Sequence, residues 1–102
     1  MYRVVVEYHH PTDPEAFLEH YRTTHAPIAQ RMSNLSSYTW GRNEMPDGSR
    51  PERFLTAVLD WPSKELALAD LGSPVGQEGT ADMANFAQAG VSMSAYEAEV
   101  AV

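Results

Sequence analysis

The chain reads as an α+β sandwich with the element order β-α-β-β-α-β, in which a four-stranded antiparallel sheet carries its helices on one face. Three observations point there. Strands with alternating apolar residues open both the first and the second half of the chain. A capped amphipathic helix follows the first of them, and a second helical region precedes the last strand. With 102 residues and no linker long enough to divide them, the expectation is a single domain over 1–102.

The first strand is expected over 2–9, with Tyr2, Val4, Val6 and Tyr8 on one face and Arg3, Val5, Glu7 and His9 on the other. Asp13 can cap the first helix, and Pro14 suits its first position, where no amide donor is needed. Phe17, Tyr21, Thr24 and Ile28 then lie on one face, with His25 beside it. Pro27 removes a backbone donor and disfavours helical geometry at Ala26, so the helix is expected to break near Thr24 or His25 and resume over 28–32. A second strand is expected over 35–43, a turn-rich loop over 45–51, and a third strand over 53–61. Ser63 caps a helix through Leu66, Leu68 and Leu71 that ends at Gly72. Ser73-Pro74 restarts a short turn loosened by Gly76 and Gly79, and Thr80 caps a last helix over 81–88. The fourth strand is expected over 91–100. Because the first and third strands carry apolar residues on both faces, the open sheet face calls for a cover, and a homodimer with sheets packed face to face is expected.

Composition narrows the function. Fourteen acidic against seven basic residues give a formal charge of −7, which repels phosphate backbones and anionic membranes, so neither nucleic acid nor membrane is an expected partner. There is no cysteine, hence no disulfide, thiol nucleophile or cysteine-ligated metal. No signal peptide is apparent at residue 1, and a cytoplasmic location is expected. His20 and His25, five apart, should lie on different sides of a helix, and His9 and His10 should point apart in a strand. No metal site and no cofactor is therefore expected: metal-ligand spacings, Gly-rich phosphate loops and nucleophile elbows are all missing.

Two groups remain as candidates for chemistry. His25, at the helix interruption and beside an apolar stripe, is the candidate catalytic residue for proton transfer, since burial favours the neutral imidazole. Its alternative is a helix-end histidine bonded to a loose carbonyl. Tyr8, Tyr21, Tyr38 and Trp40 could wall a site for a planar, partly polar ligand, with Phe86 closing one end. Their alternative is core and dimer packing. Asp82 and Asn85, three apart on a helix, are expected to interact locally.

Val4-Val5-Val6-Glu7-Tyr8, Asp13-Pro14-Glu15-Ala16-Phe17, Tyr21, and His25-Ala26-Pro27 resemble the EthD-like family of dimeric α+β barrel proteins. Ala57-Val58-Leu59, Leu71-Gly72-Ser73-Pro74-Val75-Gly76 and Ala81-Asp82-Met83-Ala84-Asn85-Phe86 carry the resemblance through the second half. It implies a ferredoxin-like subunit that dimerises through its sheets and holds a pocket between sheet and helices, with His25 at the cleft. His9-His10-Pro11-Thr12 and Ala84 depart from the usual pattern, at the pocket rim and at one helix start. Among related barrels are isomerases, decarboxylases, cyclases and cofactor-free monooxygenases, so the fold does not fix the reaction. The expectation is a small-molecule enzyme acting by proton transfer on a hydrophobic, oxygenated substrate such as a lactone, quinone or phenolic polyketide. The alternative is a protein that sequesters a small apolar metabolite without transforming it.

Overall fold

Alternation along the strands sets the architecture of the computed structural model, which describes residues 1–102. Strands β1 (Tyr2–Tyr8), β2 (Ser37–Arg42), β3 (Leu55–Trp61) and β4 (Val91–Glu97) form one antiparallel sheet in the order β2-β3-β1-β4. Val4 and Val6 stand opposite Leu59 and Ala57, and together with Tyr8, Leu55 and Trp61 they are buried beneath the helices. The expected alternation of β1 and β3 is therefore present, with β1 ending one residue earlier and β3 starting two residues later than expected. No helix is long and apolar enough to cross a membrane.

The first helical region departs from expectation in an informative way. Helix α1 (Pro14–His20), capped by the Asp13 carboxylate on the Ala16 amide, does not break. It widens into a π-helical turn over Tyr21–His25 and continues as α2 (Ala26–Ala29), with Ala26 in ordinary helical geometry. Proline at position 27 can donate no amide hydrogen, and its ring would crowd the carbonyl one α-turn back; a wider turn relieves that clash without ending the helix. The extra residue shifts the buried stripe by one place. Thr24, expected to face inward, is exposed, and the stripe runs Phe17, Tyr21, His25, Ala26, Ala29, Met32.

Helix α3 (Lys64–Leu71) starts on the Ser63 cap, as read from the sequence, but turns Leu68 outward and buries Ala67 and Asp70 instead. The Asp70 carboxylate is 3% exposed and fully engaged: it accepts from Trp61 Nε1 at 2.8 Å and from Asn34 N and Nδ2 at 2.9 Å each. A buried charge is tolerable when so bonded, and this one ties β3, α3 and the segment after α2 together.

The short turn and separate last helix expected around Gly76, Gly79 and Thr80 are one helix, α4 (Pro74–Phe86), capped by Ser73. Thr80 caps nothing; its hydroxyl donates to the Gly76 carbonyl inside the helix. Helix continuity wins because Gly76 is where α3 and α4 touch backbone to backbone: a Cβ there would lie 2.2 Å from the Asp70 carbonyl oxygen and 2.5 Å from that of Leu71. At Gly79 a Cβ would meet only Ile28 Cγ2, at 3.8 Å.

On the open face of the sheet a single row crosses the four strands: Thr39, Val58, Val5, Ser94. Beside it Arg3 and Asp60 form a two-pronged ion pair, Nε–Oδ1 2.8 Å and Nη2–Oδ2 2.9 Å. The apolar content of this face is thus narrower than the sequence suggested, two valines among hydroxyl-bearing residues. Strand β4 lies at the sheet edge and is exposed along its length.

The two glycines of α4 give opposite expectations in urea unfolding. Gly76→Ala should cost about 1–3 kcal/mol by overpacking against backbone. Gly79→Ala should gain about 0.5–1 kcal/mol, the difference between alanine and glycine within a helix.

Candidate functional site

Tyr8 ends β1 on the helix-facing side, Tyr38 reaches in from β2, Tyr21 and His25 bracket the π-helical turn, and Asp82 projects from the middle of α4. These five side chains meet between the sheet and the helices. His25 is 5% exposed and Asp82 6%. His25 Nδ1 lies 3.0 Å from Asp82 Oδ2, and Nε2 lies 3.5 Å from the Tyr8 hydroxyl, a long approach rather than a strong bond. A carboxylate only accepts, so Nδ1 carries the proton and donates it to Asp82. Nε2 is left with its lone pair toward Tyr8 and the cavity. The expectation of a histidine held only by a loose carbonyl does not describe this ring.

Asp82 is shared. His20 Nε2 donates to Oδ1 and Oδ2 at 2.9 and 3.0 Å, and Asn85 Nδ2 donates to Oδ1 at 3.1 Å. The Asp82–Asn85 pair expected from the spacing is present, but it is the smaller part of the arrangement. His20 and His25, expected on different sides of the helix, lie on the same side. Five residues span 500° of an α-helix, leaving the rings about 140° apart, whereas one π-helical turn nearly superimposes them. Proline 27, two residues beyond His25, was the signal that could have revealed this.

Burial sets the protonation states. It pushes His25 below the ordinary histidine value of 6.5, against the opposing pull of Asp82. For Asp82, burial favours the neutral acid, but donors from Asn85, His20 and His25 outweigh it and hold the carboxyl below its usual 3.8. Burial also raises the phenols of Tyr8, Tyr21 and Tyr38, which keep their protons at neutral pH. Tyr21 and Tyr38 hydroxyls are 2.6 Å apart. The site therefore offers a neutral imidazole backed by a carboxylate, beside the Tyr8 phenol and a hydrogen-bonded pair of phenols with one proton left to donate.

A cavity of about 60 Å³ opens among them, lined by Tyr8, Tyr21, Tyr38 and His25 together with Met32, Met83 and Met93. That volume holds roughly two waters at ~30 Å³ each, so a ring-sized ligand requires the walls to repack. Methionine side chains, unbranched and flexible, suit such repacking. Trp40 and Phe86 do not line the cavity. Trp40 packs on Tyr21, ring centroids 4.8 Å apart, with Arg22 over its face. Phe86 is wedged between His20 and His25, at 5.1 and 4.7 Å, and faces a separate surface groove. His9 and His10 stand apart from the site, bonded to Ser92 and to the Pro51 carbonyl.

Linkage gives a pH test. Because the folded protein holds His25 below its unfolded value of 6.5, the unfolded chain binds more protons just below that pH, and stability falls as pH drops through it. The Asp82 contribution has the opposite origin and is lost only as pH falls below about 4, through the usual carboxylate range. Urea midpoints taken at about pH 7.5 and 5.5 should show the loss in the parent and a smaller one in His25→Gln, the window being that of an ordinary histidine.

No protein-family model matches the chain. It is 42% identical over 93 residues, 91% of this chain and 90% of the other, to an uncharacterized 11.0 kDa protein of the thcB-thcC intergenic region of Rhodococcus erythropolis. The structure of an EthD family protein from Bacillus halodurans C-125 superposes with a TM-score of 0.89 at 24% identity, covering 97% of this chain and 99% of that one. SnoaB, a cofactor-independent oxygenase from Streptomyces nogalater, matches with a TM-score of 0.69 at 14% identity, covering 99% and 94%. The two structural likenesses are likenesses of fold.

Proposed function

We propose that this chain, which belongs to the family of the 11.0 kDa Rhodococcus erythropolis protein and has the EthD-like ferredoxin fold, is a small-molecule enzyme that works by proton transfer at His25. The observation that carries this reading is the polarity of the His25 ring: its Nδ1–H is committed to Asp82 while Nε2 is turned to Tyr8 and the cavity. On this reading Nε2 takes a proton from an acidic C–H or O–H of the substrate. Asp82 stabilises the imidazolium that forms. The Tyr8 hydroxyl, and whichever of the hydrogen-bonded Tyr21 and Tyr38 hydroxyls keeps its proton free, donate to the oxygen on which negative charge develops. Returning the proton to another atom completes an isomerisation; decarboxylation, cyclisation and reaction of the carbanion with oxygen begin from the same deprotonation. The methionine-rich lining suits a hydrophobic, oxygenated substrate, a lactone, quinone or phenolic polyketide. Trp40 and Phe86, expected as substrate walls, serve on this reading to back Tyr21 and His25.

The protein would act in the cytoplasm as a homodimer. The row Thr39, Val58, Val5, Ser94 carries only short side chains, and the Arg3–Asp60 pair beside it neutralises its own charges, which fits a face covered by a second sheet. Equilibrium sedimentation at micromolar concentration should return twice 11.3 kDa; a stable species of 11.3 kDa would remove the dimer.

The enzymatic reading is tested with an anthrone, a naphthoquinone and an unsaturated lactone as probes, following product and oxygen uptake. His25→Ala should lower turnover ~100- to 10,000-fold, the usual contribution of a general acid or base, with binding little changed. Thr24→Ala, exposed on the far side of the helix, is the control. His20 cannot serve as one, because it shares Asp82. Near-parental turnover in His25→Ala overturns the mechanism. A parent that binds these probes and converts none of them favours sequestration.

A further inference from the structure

Two imidazoles rest on one carboxylate, and the protein supplies no second anion for them. Asp82 is the only acidic partner within ion-pair distance of either ring. Around His25 the remaining neighbours are Tyr8 from β1, Tyr21 from the π-helical turn and Phe86 from α4, none of them charged at neutral pH. Around His20 they are Asn85 and Phe86 from α4, and, across the rim of the surface groove, Thr12 and Asp13. Asp13 is occupied with the Ala16 amide, and no lysine or arginine lines that groove.

The two rings differ in their access to water. The His20 side chain is 27% exposed and opens on a groove of about 500 Å³; that of His25 is 6% exposed and faces the cavity of about 60 Å³ between sheet and helices. With both rings neutral the trio carries one negative charge. One proton neutralises it. A second proton would leave a net positive charge beside a wall of aromatic rings and without a counterion, which burial strongly disfavours.

We propose that His20 and His25 titrate as one unit through Asp82, the first proton entering from the groove at His20 and thereby keeping His25 neutral. His20 is then the positioning residue of the base, setting the protonation state of a ring it does not touch. This rests on the proton-transfer reading of His25 and extends it. Like-charge repulsion and withdrawal of Asp82 toward a charged His20 act in the same direction, both disfavouring a proton on His25.

The experiment is a pH titration of the ring ¹⁵N and carbon-bound proton signals, in the parent and in His20→Gln, over about pH 5 to 8 where histidines ordinarily titrate. Glutamine keeps an N–H donor toward Asp82 and fills the groove but carries no charge. In the parent the His25 signals should show two inflections, one coinciding with the midpoint of His20. In His20→Gln a single inflection should remain, displaced to higher pH. His20→Ala separates charge from water entry: a midpoint that rises in His20→Ala but not in His20→Gln assigns the effect to solvation and overturns the proposal. A single His25 inflection in the parent, independent of His20, overturns it without any substitution. The titration needs no substrate, so its failure is distinct from that of the base. A fully active His25→Ala removes the base and leaves the coupling standing; uncoupled rings with an inactive His25→Ala do the reverse.

Discussion

A proline that cannot donate an amide hydrogen governs this molecule. Pro27 lies within a helical run whose ends are otherwise well specified, and the chain accommodates it by widening one turn, Tyr21–His25, rather than by stopping. The cost is one altered helical hydrogen-bond pattern. The consequence is a one-residue slip of everything beyond it: Thr24 leaves the core, His25 enters it, and His20 and His25 align above a single carboxylate. An unbroken α-helix through the same residues would point one of the two rings elsewhere.

Two buried carboxylates show how differently the same group can be used. Asp70 accepts from Trp61 and Asn34, groups that do not titrate, and acts as a fixed tie between β3, α3 and the segment after α2. Asp82 is equally buried but accepts from two histidines and an asparagine. Its partners can change charge, so the same burial that makes Asp70 rigid makes the Asp82 cluster responsive to pH. The close backbone approach at Gly76 links the two, since it fixes α4 against α3 and so sets the position from which Asp82 projects.

The cavity lining combines hydrogen-bonded tyrosines with flexible methionines. Tyrosines held by their neighbours, the mutually bonded Tyr21 and Tyr38 hydroxyls among them, supply its polar groups. Met32 from the segment after α2, Met83 from α4 and Met93 from β4 add flexible apolar lining, and Met93 stands on an edge strand exposed along its whole length. Orientation of a polar group and accommodation of an apolar body are thus assigned to different residues, which suits a ligand having one of each.

Much of the fold was legible in the residues themselves because its signals are local. Alternation in β1 and β3, the Asp13 and Ser63 caps and the spacing of Asp82 and Asn85 each need only a few neighbouring side chains to act. The order of these elements was enough for the antiparallel sheet with helices on one face. What the sequence could not disclose depends on contacts between distant segments. Whether Pro27 would break or widen the helix turned on how much was to be gained by keeping α2 packed on the core. Whether Gly76 would loosen α4 turned on the carbonyls of α3 that it touches. His20, His25 and Asp82 are separated by up to 62 residues, and their meeting is fixed by a helical phase and by the packing of α4, both properties of the assembled chain. His25 could be singled out from its neighbours in sequence; the carboxylate that orients it, and the second histidine that shares that carboxylate, were decided by tertiary structure, because only packing brings a titratable group and its distant partners within hydrogen-bonding reach.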